Sequence, residues 1–215
     1  PELFTDGDLW AHFLLGYAGG VDTVGVTLAY ALRELLRDEG RLLTRVRKEL
    51  DTACEANGGE LPTPAELKAL PDLMGVCQET LRLYPAAFGM GRHAVRDFEF
   101  RGYQIKKGTE VLMLTTGTHV DPAYFPDPNR FDIERYREPR NEHRRKYAYS
   151  PYGRGPHVCL GAAMAELMLP LTLATLVRYY DLSLARPDKE YRTVYDPSTS
   201  LPTEFELRFD GKRQL

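Results

Sequence analysis

The stretch that decides the fold covers residues 152–161 and reads Tyr152-Gly153-Arg154-Gly155-Pro156-His157-Val158-Cys159-Leu160-Gly161. A strongly apolar run with helical character, from Leu160 to Tyr180, follows it at once. Gly153 and Gly155 permit backbone conformations that other residues avoid, so the chain can turn tightly beneath a flat ligand. Cys159 lies just before the predicted helix, where the helix dipole and free N–H groups favour a thiolate. A soft thiolate in an apolar cradle suits iron.

Cys159 taken alone also fits a structural role, because cysteine is among the most frequently buried residues. A second alternative pairs Cys159 with His157 as nucleophile and base, although nothing downstream supplies an orienting group. The chain has three cysteines, an odd number, and none lies in a C-x-x-C pair. Neither a disulfide framework nor a zinc site is therefore predicted, and a reducing compartment fits best.

The composition is that of a soluble globular protein: 215 residues, 43% apolar and 27% charged, with a formal net charge of −3. Neither nucleic acid nor an anionic membrane is expected as a partner. No apolar run is long enough to span a membrane, and no signal peptide opens the chain. Because the chain begins at Pro1 without an initiator Met, we expect a piece of a longer protein. A cytoplasmic location is predicted, unless a missing N-terminal part carries an anchor.

The apolar periodicity predicts helices first and strands later. Helical patterns cover residues 8–39, 41–56, a short segment after the N-cap Thr63, and 72–83. Strands are predicted over residues 93–100, 103–105 and 110–115, with turns at Arg101-Gly102 and Lys107-Gly108. Residues 121–140 read as an ordered loop, and residues 205–209 as one arm of a terminal hairpin. This order predicts a mainly α fold with small β-sheets, of the α+β class, and not a doubly wound sheet.

The cysteine stretch resembles the haem-binding loop of the cytochromes P450, F-x-x-G-x-[HR]-x-C-x-G. Gly155, His157, Cys159 and Gly161 match that pattern, and Tyr152-Gly153 stands where the family usually has Phe-Gly. The resemblance implies that the chain binds haem b, iron protoporphyrin IX, with Cys159 as the axial thiolate. Tyr152 keeps an aromatic ring against the loop but adds a hydroxyl, which is expected to tune the iron differently.

A second motif of the same family is Glu79-Thr80-Leu81-Arg82, an E-x-x-R pair on one face of a helix. Alone it would also fit a solvated ion pair, which contributes little. In the family the pair is buried and joins a later arginine, for which the sequence offers Arg130 in a stretch similar to P-x-R-F. The resemblance implies a structural role for Glu79, Arg82 and Arg130 behind the cysteine loop, where losing one partner would strand a buried charge.

The first helix contains Gly19-Gly20-Val21-Asp22-Thr23, which resembles [AG]-G-x-[DE]-T on the family's helix across the distal face of the haem. Glycines in a helix interior cost up to about 1 kcal/mol each. The resemblance explains them, because Ala18 and Gly19 would let the backbone approach the haem. Asp22 and Thr23 would be the acid–alcohol pair that delivers protons to bound oxygen. Without the resemblance, Thr23 bonded to a helix carbonyl is the alternative.

Arg92 resembles the family's arginine that pairs with a haem propionate, and His157 would serve the other propionate region. A surface cation is the alternative for both residues. The substrate wall that the resemblance implies is apolar and partly small, which favours a lipophilic substrate. That wall comprises Tyr17, Ala18 and Gly19 on the first helix, Ala86, Ala87, Phe88, Gly89 and Met90 after the E-x-x-R helix, and Ser200 and Leu201 at the tip of the terminal hairpin.

The resemblance covers nearly all of residues 1–215 and implies the C-terminal haem-binding portion of a P450 domain, whose N-terminal half is absent. The implied activity is a haem-thiolate monooxygenase that inserts one oxygen atom of O2 by hydroxylation or epoxidation. A ferredoxin or flavodoxin would supply electrons by docking on His143-Arg144-Arg145-Lys146 and Arg154, which otherwise form a solvated loop. Two alternatives remain: a haem-thiolate peroxygenase or isomerase, and a haem-binding fragment without catalysis.

Overall fold

The computed structural model of the protein describes residues 4–114, 116–195, 199–200 and 205–215. This part of the chain contains five α-helices and four two-stranded antiparallel sheets, which confirms the mainly α class with small β-sheets. The helices are α1 Asp6–Leu36, α2 Arg41–Ala56, α3 Pro64–Leu67, α4 Pro71–Leu83 and α5 Ala162–Tyr179. The strands are β1 Met90–His93, β2 Phe98–Phe100, β3 Tyr103–Ile105, β4 Glu110–Met113, β5 Tyr180–Leu184, β6 Val194–Tyr195, β7 Thr199–Ser200 and β8 Leu207–Lys212.

The sheets differ from the sequence-based expectation in two places. The strand predicted over residues 93–100 is divided between β1 and β2, and β1 pairs with β4 whereas β2 pairs with β3. The turn at Arg101-Gly102 is confirmed: both residues have positive φ, 50° and 84°, as a two-residue hairpin turn requires. The arm predicted over residues 205–209 is not part of a local hairpin, because β8 pairs with β5 directly after α5. Alternating side chains identify a strand, but they do not identify its partner.

The hydrophobic core lies where α1, α2, α4 and α5 meet. Leu35, Leu50 and Leu173, from three of these helices, are fully buried, and each contributes about 1.5–3 kcal/mol by its removal from water. Gly75 lets α4 approach the irregular segment before the cysteine stretch, since a Cβ there would lie 2.9 Å from the Cβ of Ile133. The core therefore ties α4 to the segment that leads towards Cys159.

Only the part of α1 from Val24 onwards belongs to this core. Its start is fixed by a capping box, in which Thr5 and Asp8 satisfy each other's backbone N–H groups. The next residues are exposed although many are large and apolar; the exposed fractions are 67% for Trp10, 70% for Phe13 and 68% for Tyr17. This exposed apolar surface, called the open face of α1 below, includes Trp10, Phe13 and Tyr17 and extends over Gly16, Gly19 and Gly20.

Contrary to the sequence-based expectation that no apolar run reaches the length of a membrane span, helix α5 is long and apolar enough to cross a membrane, as judged by its length and composition. Its second half packs into the core through Leu169, Leu173, Ala174 and Val177. Its first half, which follows Cys159, is largely exposed. Pro170 lies inside the helix between the two halves, and because it lacks an N–H it removes one helical hydrogen bond there.

Candidate haem site

The cysteine loop, residues 150–161, is closed by main-chain hydrogen bonds. The N–H of Gly153 donates a hydrogen bond to the carbonyl of Ser150 at 3.1 Å, and the N–H of Cys159 donates one to the carbonyl of Tyr152 at 2.9 Å. These bonds fold the loop into a compact turn directly before α5. The sulfur-bearing residue is thus held by the backbone of its own loop.

Three glycines shape the cysteine loop, two by their backbone conformation and one by the space that it leaves beside the sulfur. Gly153 has a φ of 76°, and a Cβ there would lie 2.7 Å from the Sδ of Met90. Gly155 has a φ of 79°, a conformation that other residues rarely adopt. A Cβ at Gly161 would lie 3.9 Å from the Sγ of Cys159 and would fill space beside the sulfur. Met90, predicted for the substrate wall, therefore packs against the cysteine loop.

Cys159 is exposed, whereas Cys54 and Cys77 are buried. Burial raises the pKa of the Cys77 thiol to about 12 and also raises the pKa of Cys54. A thiol with a raised pKa in an apolar interior is inert as a ligand. Of the three cysteines, Cys159 alone is accessible to a metal ion at the surface of this chain.

Tyr152 differs from the phenylalanine usual in the resembled pattern, and its hydroxyl has consequences. The Oη atom is buried and has no hydrogen-bond partner among the described residues. Burial raises the pKa of Tyr152, and Glu166, Cys77 and Cys159 act in the same direction. An unpaired buried hydroxyl costs about 1–3 kcal/mol, so the loop carries a polar atom that the protein fold alone does not satisfy.

Behind the loop lies a buried charge network centred on Glu79. Arg82 donates to it from Nε at 2.7 Å and from Nη2 at 2.8 Å, and both side chains are fully buried. Arg135 donates from Nε at 3.1 Å and is fully buried as well. The hydroxyl of Tyr136 adds a bond of 2.8 Å. The E-x-x-R pair is thus an interior network and not a solvated ion pair.

The third arginine of this network is Arg135, and the prediction of Arg130 is wrong. The Arg130 residue is exposed, and only its main-chain carbonyl takes part, accepting bonds of 3.3 Å from Arg82 and from Arg135. The sequence contains two arginines followed by an aromatic residue, Arg130-Phe131 and Arg135-Tyr136. The second pair lies on a short 3-10 helix, Ile133–Tyr136, which places both of its side chains on Glu79.

His119 is a fully buried residue that the sequence analysis missed. Its Nδ1 lies 3.2 Å from the carbonyl of Arg82, and its Nε2 accepts a hydrogen bond of 2.9 Å from the N–H of Ser150. Burial lowers the pKa of His119 to about 4, and the charges of Arg82 and Arg154 also lower it. A single histidine in an irregular segment carries no signal of such a role, because no spacing to another functional residue marks it.

On α1, the hydroxyl of Thr23 donates to the carbonyl of Gly19 at 2.6 Å. This is the back-bonded arrangement that the sequence left as the alternative. Asp22 beside it is exposed. A Cβ added to the glycines of this stretch would meet nothing within 4 Å, which holds for Gly16, Gly19, Gly20 and Gly25. The open face of α1 is therefore free to approach a large group.

Arg92 lies on β1 and is half-buried. Its Nη1 donates to the carbonyl of Gly91 at 2.7 Å, and its Nη2 lies 3.5 Å from the Sδ of Met90. Within the described residues no acidic side chain pairs with it. His157 is exposed at the end of the 3-10 helix Gly155–His157. A cation next to the cysteine loop is thus left without a carboxylate.

Comparison with known proteins identifies this arrangement. The family model described as Cytochrome P450 matches residues 1–207. The chain belongs to the cytochrome P450 family. It is 34% identical over 190 residues to sterol 14alpha-demethylase of Mycolicibacterium vanbaalenii, a match that covers 88% of this chain and 41% of that protein. It is 36% identical over 197 residues to the putative cytochrome P450 136 of Mycobacterium tuberculosis, covering 89% and 38%.

A solved P450 structure confirms the fold. The crystal structure of the cytochrome P450DA heme domain superimposes with a TM-score of 0.85 at 25% identity, and the match covers 100% of this chain and 47% of that one. The chain spans about two fifths of the length of the curated relatives named above. The prediction of a P450 from the cysteine loop is therefore confirmed.

The residues around Cys159 fit the haem of this family. A thiolate-ligated haem needs an accessible sulfur, space beside it and cations for its carboxylates. The exposed thiol of Cys159, the space kept open by Gly161 and the acid-free guanidinium of Arg92 meet these needs. The chemistry of the donor set and the cradle thus agree with haem b.

The residues predicted for the P450 substrate wall are distributed as follows. Ala86 is half-buried, whereas Ala87 and Phe88 are exposed after α4. Ser200 was expected at a hairpin tip, but it lies on strand β7 and pairs with Val194. Tyr17 and Ala18 lie on the open face of α1, and Leu201 falls outside the described residues. The wall therefore consists of separate segments that are largely exposed in this chain.

Proposed function

We propose that this chain is the haem-holding part of a P450 monooxygenase, with Cys159 as the axial ligand. The observation that carries the proposal is an exposed thiol on a glycine-shaped loop that is anchored to a buried charge network. Bound haem b would supply oxygen activation at a thiolate-ligated iron. The protein would fix the sulfur, neutralise the carboxylates of the cofactor and limit access of water.

Each residue of the site would then have a definite task. Arg92 and His157 would take the two propionates, because Arg92 lies beside the cysteine loop and His157 lies within it. The hydroxyl hydrogen of Thr23 is engaged by Gly19, so its oxygen would accept a hydrogen bond from a distal water. The exposed carboxylate of Asp22 would exchange protons between that water and solvent.

The test is the spectrum of the reduced, carbon-monoxide-bound protein after addition of haem. We expect the strongly red-shifted Soret band of thiolate ligation in the unmodified chain and in Cys54→Ser, and its loss in Cys159→Ser. The Cys54 variant is the matched control, because it removes a buried thiol of the same chain. A red-shifted band that persists in Cys159→Ser would contradict the assignment of the ligand.

We also propose that further parts of a P450 domain cover the open face of α1. The support is the exposure of Trp10, Phe13 and Tyr17 together with the greater length of the relatives. Trp10 is the sole tryptophan of the sequence, so its fluorescence reports on this face. We expect red-shifted emission that iodide quenches in the chain alone, and blue-shifted, protected emission when the remaining P450 elements are supplied. Protected emission in the dilute chain alone would contradict the proposal.

A basic surface near the cysteine loop is our proposed docking site for a ferredoxin or flavodoxin. Arg144 and Lys146 are exposed, and Tyr147 lies between cations, with Lys146 at 5.0 Å and Arg154 at 5.4 Å from its ring centroid. The guanidinium of Arg145 is bound to the carbonyl of Ala123 at 2.9 Å and has a structural task. Arg144 and Lys146 are therefore the better positions to test.

The experiment reverses the charge at these two positions. Arg144→Glu combined with Lys146→Glu should raise the apparent KM for reductant at low salt and should lose that effect as salt screens the surface. Arg208→Glu with Lys212→Glu, two exposed cations on β8, is the control. Equal effects of the two pairs would argue against docking at the loop.

The substrate that we propose is a lipophilic small molecule, because the wall residues Phe88, Ala87 and Tyr17 are apolar or aromatic. Turnover with peroxide, but none with reductant and oxygen, would instead favour the peroxygenase alternative. A bound haem without either turnover would favour the non-catalytic one.

A cytoplasmic location is proposed as well, since the second half of α5 packs into the core and its end is held by an ion pair of 2.7 Å between Arg178 and Asp51.

A further inference from the structure

A short 3-10 helix, Gly117–Val120, connects the E-x-x-R helix with the cysteine loop. Before it, the hydroxyl of Thr116 donates to the carbonyl of Phe88 at 2.7 Å. Within it, the hydroxyl of Thr118 donates to the carbonyl of Ala148 at 2.9 Å. This segment, residues 116–120, is called the anchor turn below. It bonds through side chains to the stretch after α4 and to the stretch before the cysteine loop.

His119 is the residue of the anchor turn that bonds to both α4 and the cysteine loop. Its carbonyl accepts a bond of 2.5 Å from Nη1 of Arg82, and its Nδ1 lies 3.2 Å from the carbonyl of Arg82. Its Nε2 accepts the N–H of Ser150 at 2.9 Å. The side chain is fully buried, and its ring stacks on Tyr149 with centroids 5.4 Å apart.

The partners determine which nitrogen of His119 carries the proton. A main-chain carbonyl can only accept, so Nδ1 must donate to Arg82. A main-chain N–H can only donate, so Nε2 must be bare towards Ser150. The charged groups that face the ring are the guanidinium of Arg82 from α4 and that of Arg154 from the cysteine loop. Both disfavour a second proton, and the neighbouring Tyr149 is neutral because burial raises its pKa well above 10.

Ser150 is the first residue of the cysteine loop, and three of its groups are engaged. Its N–H is held by His119, its carbonyl accepts the N–H of Gly153 at 3.1 Å, and its hydroxyl accepts a hydrogen bond from Nε of Arg154. Gly153 then precedes the turn that Cys159 closes. The orientation of the loop at its start is therefore set by the His119 ring.

We infer that His119 is a positioning residue for the axial thiolate: its neutral ring, protonated on Nδ1, couples the E-x-x-R network to the start of the cysteine loop. The inference rests on the proposed function for the identity of the group that Cys159 binds. The coupling itself is a property of the ligand-free chain. It can therefore be tested with and without haem.

The first experiment uses the unmodified chain and nitrogen-15 NMR of its histidine rings. At neutral pH we expect His119, assigned by its absence from His119→Gln, to show a protonated Nδ1 and a bare Nε2. It should keep this form well below neutral pH, because burial lowers the pKa of His119 to about 4. A charged ring, or a proton on Nε2, at neutral pH would overturn the inference.

The second experiment follows amide exchange of residues 150–153 in ligand-free variants. His119→Phe leaves the N–H of Ser150 unpaired, so we expect exchange about tenfold faster or more, the equivalent of one lost hydrogen bond. His119→Gln retains an acceptor and should remain within about threefold of the unmodified chain. His143→Gln is the matched control. His143 also contacts Tyr149, edge-on and with centroids 6.3 Å apart, and it has a buried Nδ1 without a partner among the described residues.

Equal exchange in His119→Phe and in the control would overturn the coupling. Should His119→Phe fail to fold, the NMR measurement and the comparison of His119→Gln with the control still decide the matter. If residues 150–153 of His119→Gln exchange about tenfold faster than those of the unmodified chain, as expected for a lost acceptor, the inference is contradicted.

The third experiment adds haem and compares the fraction of protein with the red-shifted, thiolate-type Soret band. We expect that fraction to fall severalfold in His119→Phe and to recover in His119→Gln. An unchanged fraction in His119→Phe would overturn the positioning role while the proposed function stands. Absence of the band in every variant, including the unmodified chain, would refute the proposed function, and the two ligand-free experiments would still report on the coupling.

Discussion

Replacement of Arg135 by leucine is expected to destabilise the protein far more than the same change at Arg130. The Arg135 guanidinium is fully buried and donates to Glu79 at 3.1 Å and to Glu142 at 2.8 Å. It also donates to the carbonyls of Pro126 at 2.6 Å and Asp127 at 2.7 Å. Leucine would fill part of the space but would leave these acceptors without a partner.

The size of the effect follows from what remains after the substitution. Removing one partner of a buried ion pair costs about 3–5 kcal/mol. Glu79 would keep Arg82, and Glu142 would keep Arg140 at 2.7 Å, so we expect the lower end, about 3 kcal/mol. Arg130 is exposed and contributes only a main-chain carbonyl, so Arg130→Leu should cost no more than about 0.5 kcal/mol.

Urea unfolding followed by circular dichroism measures both values. With a slope in the usual range of about 1–3 kcal/mol per M, Arg135→Leu should lower the midpoint by roughly 1 M or more, and Arg130→Leu should barely move it. The slope should stay constant, because the unfolded surface does not change. A larger loss in Arg130→Leu than in Arg135→Leu would refute the placement of the network.

Three further outcomes are expected. Gly153→Ala should speed amide exchange of the cysteine loop, because its φ is 76° and the new Cβ would lie 2.7 Å from the Sδ of Met90. Adding Met90→Ala should reverse the part of this effect that comes from the contact with Met90, whereas the part that comes from the positive φ should remain. Tyr84→Phe removes a hydroxyl that donates to the buried Glu34 at 2.8 Å and should lower the free energy of unfolding by about 1–3 kcal/mol in urea denaturation, whereas an unchanged midpoint would contradict that bond. Acidification should lower the free energy of unfolding between the pKa of about 6.5 that His119 has when unfolded and its folded pKa of about 4, because the unfolded chain takes up the proton first. The part of this loss that is due to His119 should reach about 3 kcal/mol and should be missing from His119→Gln, whereas the part due to His143, whose pKa burial also lowers, should remain.

The parts of the fold that depend on local chemistry could be predicted from the sequence. Helix α2 has the predicted bounds Arg41–Ala56. At α3 the predicted N-cap Thr63 is confirmed, since its hydroxyl accepts from the N–H of Glu66 and its own N–H donates back at 2.7 Å. The cysteine loop could also be predicted, because its glycines and the thiol before the helix lie within ten consecutive residues of the sequence.

The parts that depend on contacts across the chain could not be predicted in the same way. Whether Arg130 or Arg135 reaches Glu79 depends on the path of residues 121–140, which contain little regular structure to orient a side chain. His119 lies on a 3-10 helix of four residues, Gly117–Val120, and its partners are distant in sequence. The pairing of β8 with β5 has the same origin, since a strand pattern does not specify its neighbour.

Pro170 gives α5 two regions that answer to different demands. From Leu169 onwards the helix contributes Leu169, Leu173 and Val177 to the interior, so changes at Leu173 or Val177 should appear as poor expression and aggregation. Before Pro170 the helix lies next to the cysteine loop and is largely exposed. Changes at Met164 or Leu167 should therefore leave a soluble, folded protein that binds less haem. A saturation library of this helix, scored for protein yield and for red colour, should therefore show mainly colour effects before Leu169 and mainly yield effects at the buried positions from Leu169 onwards.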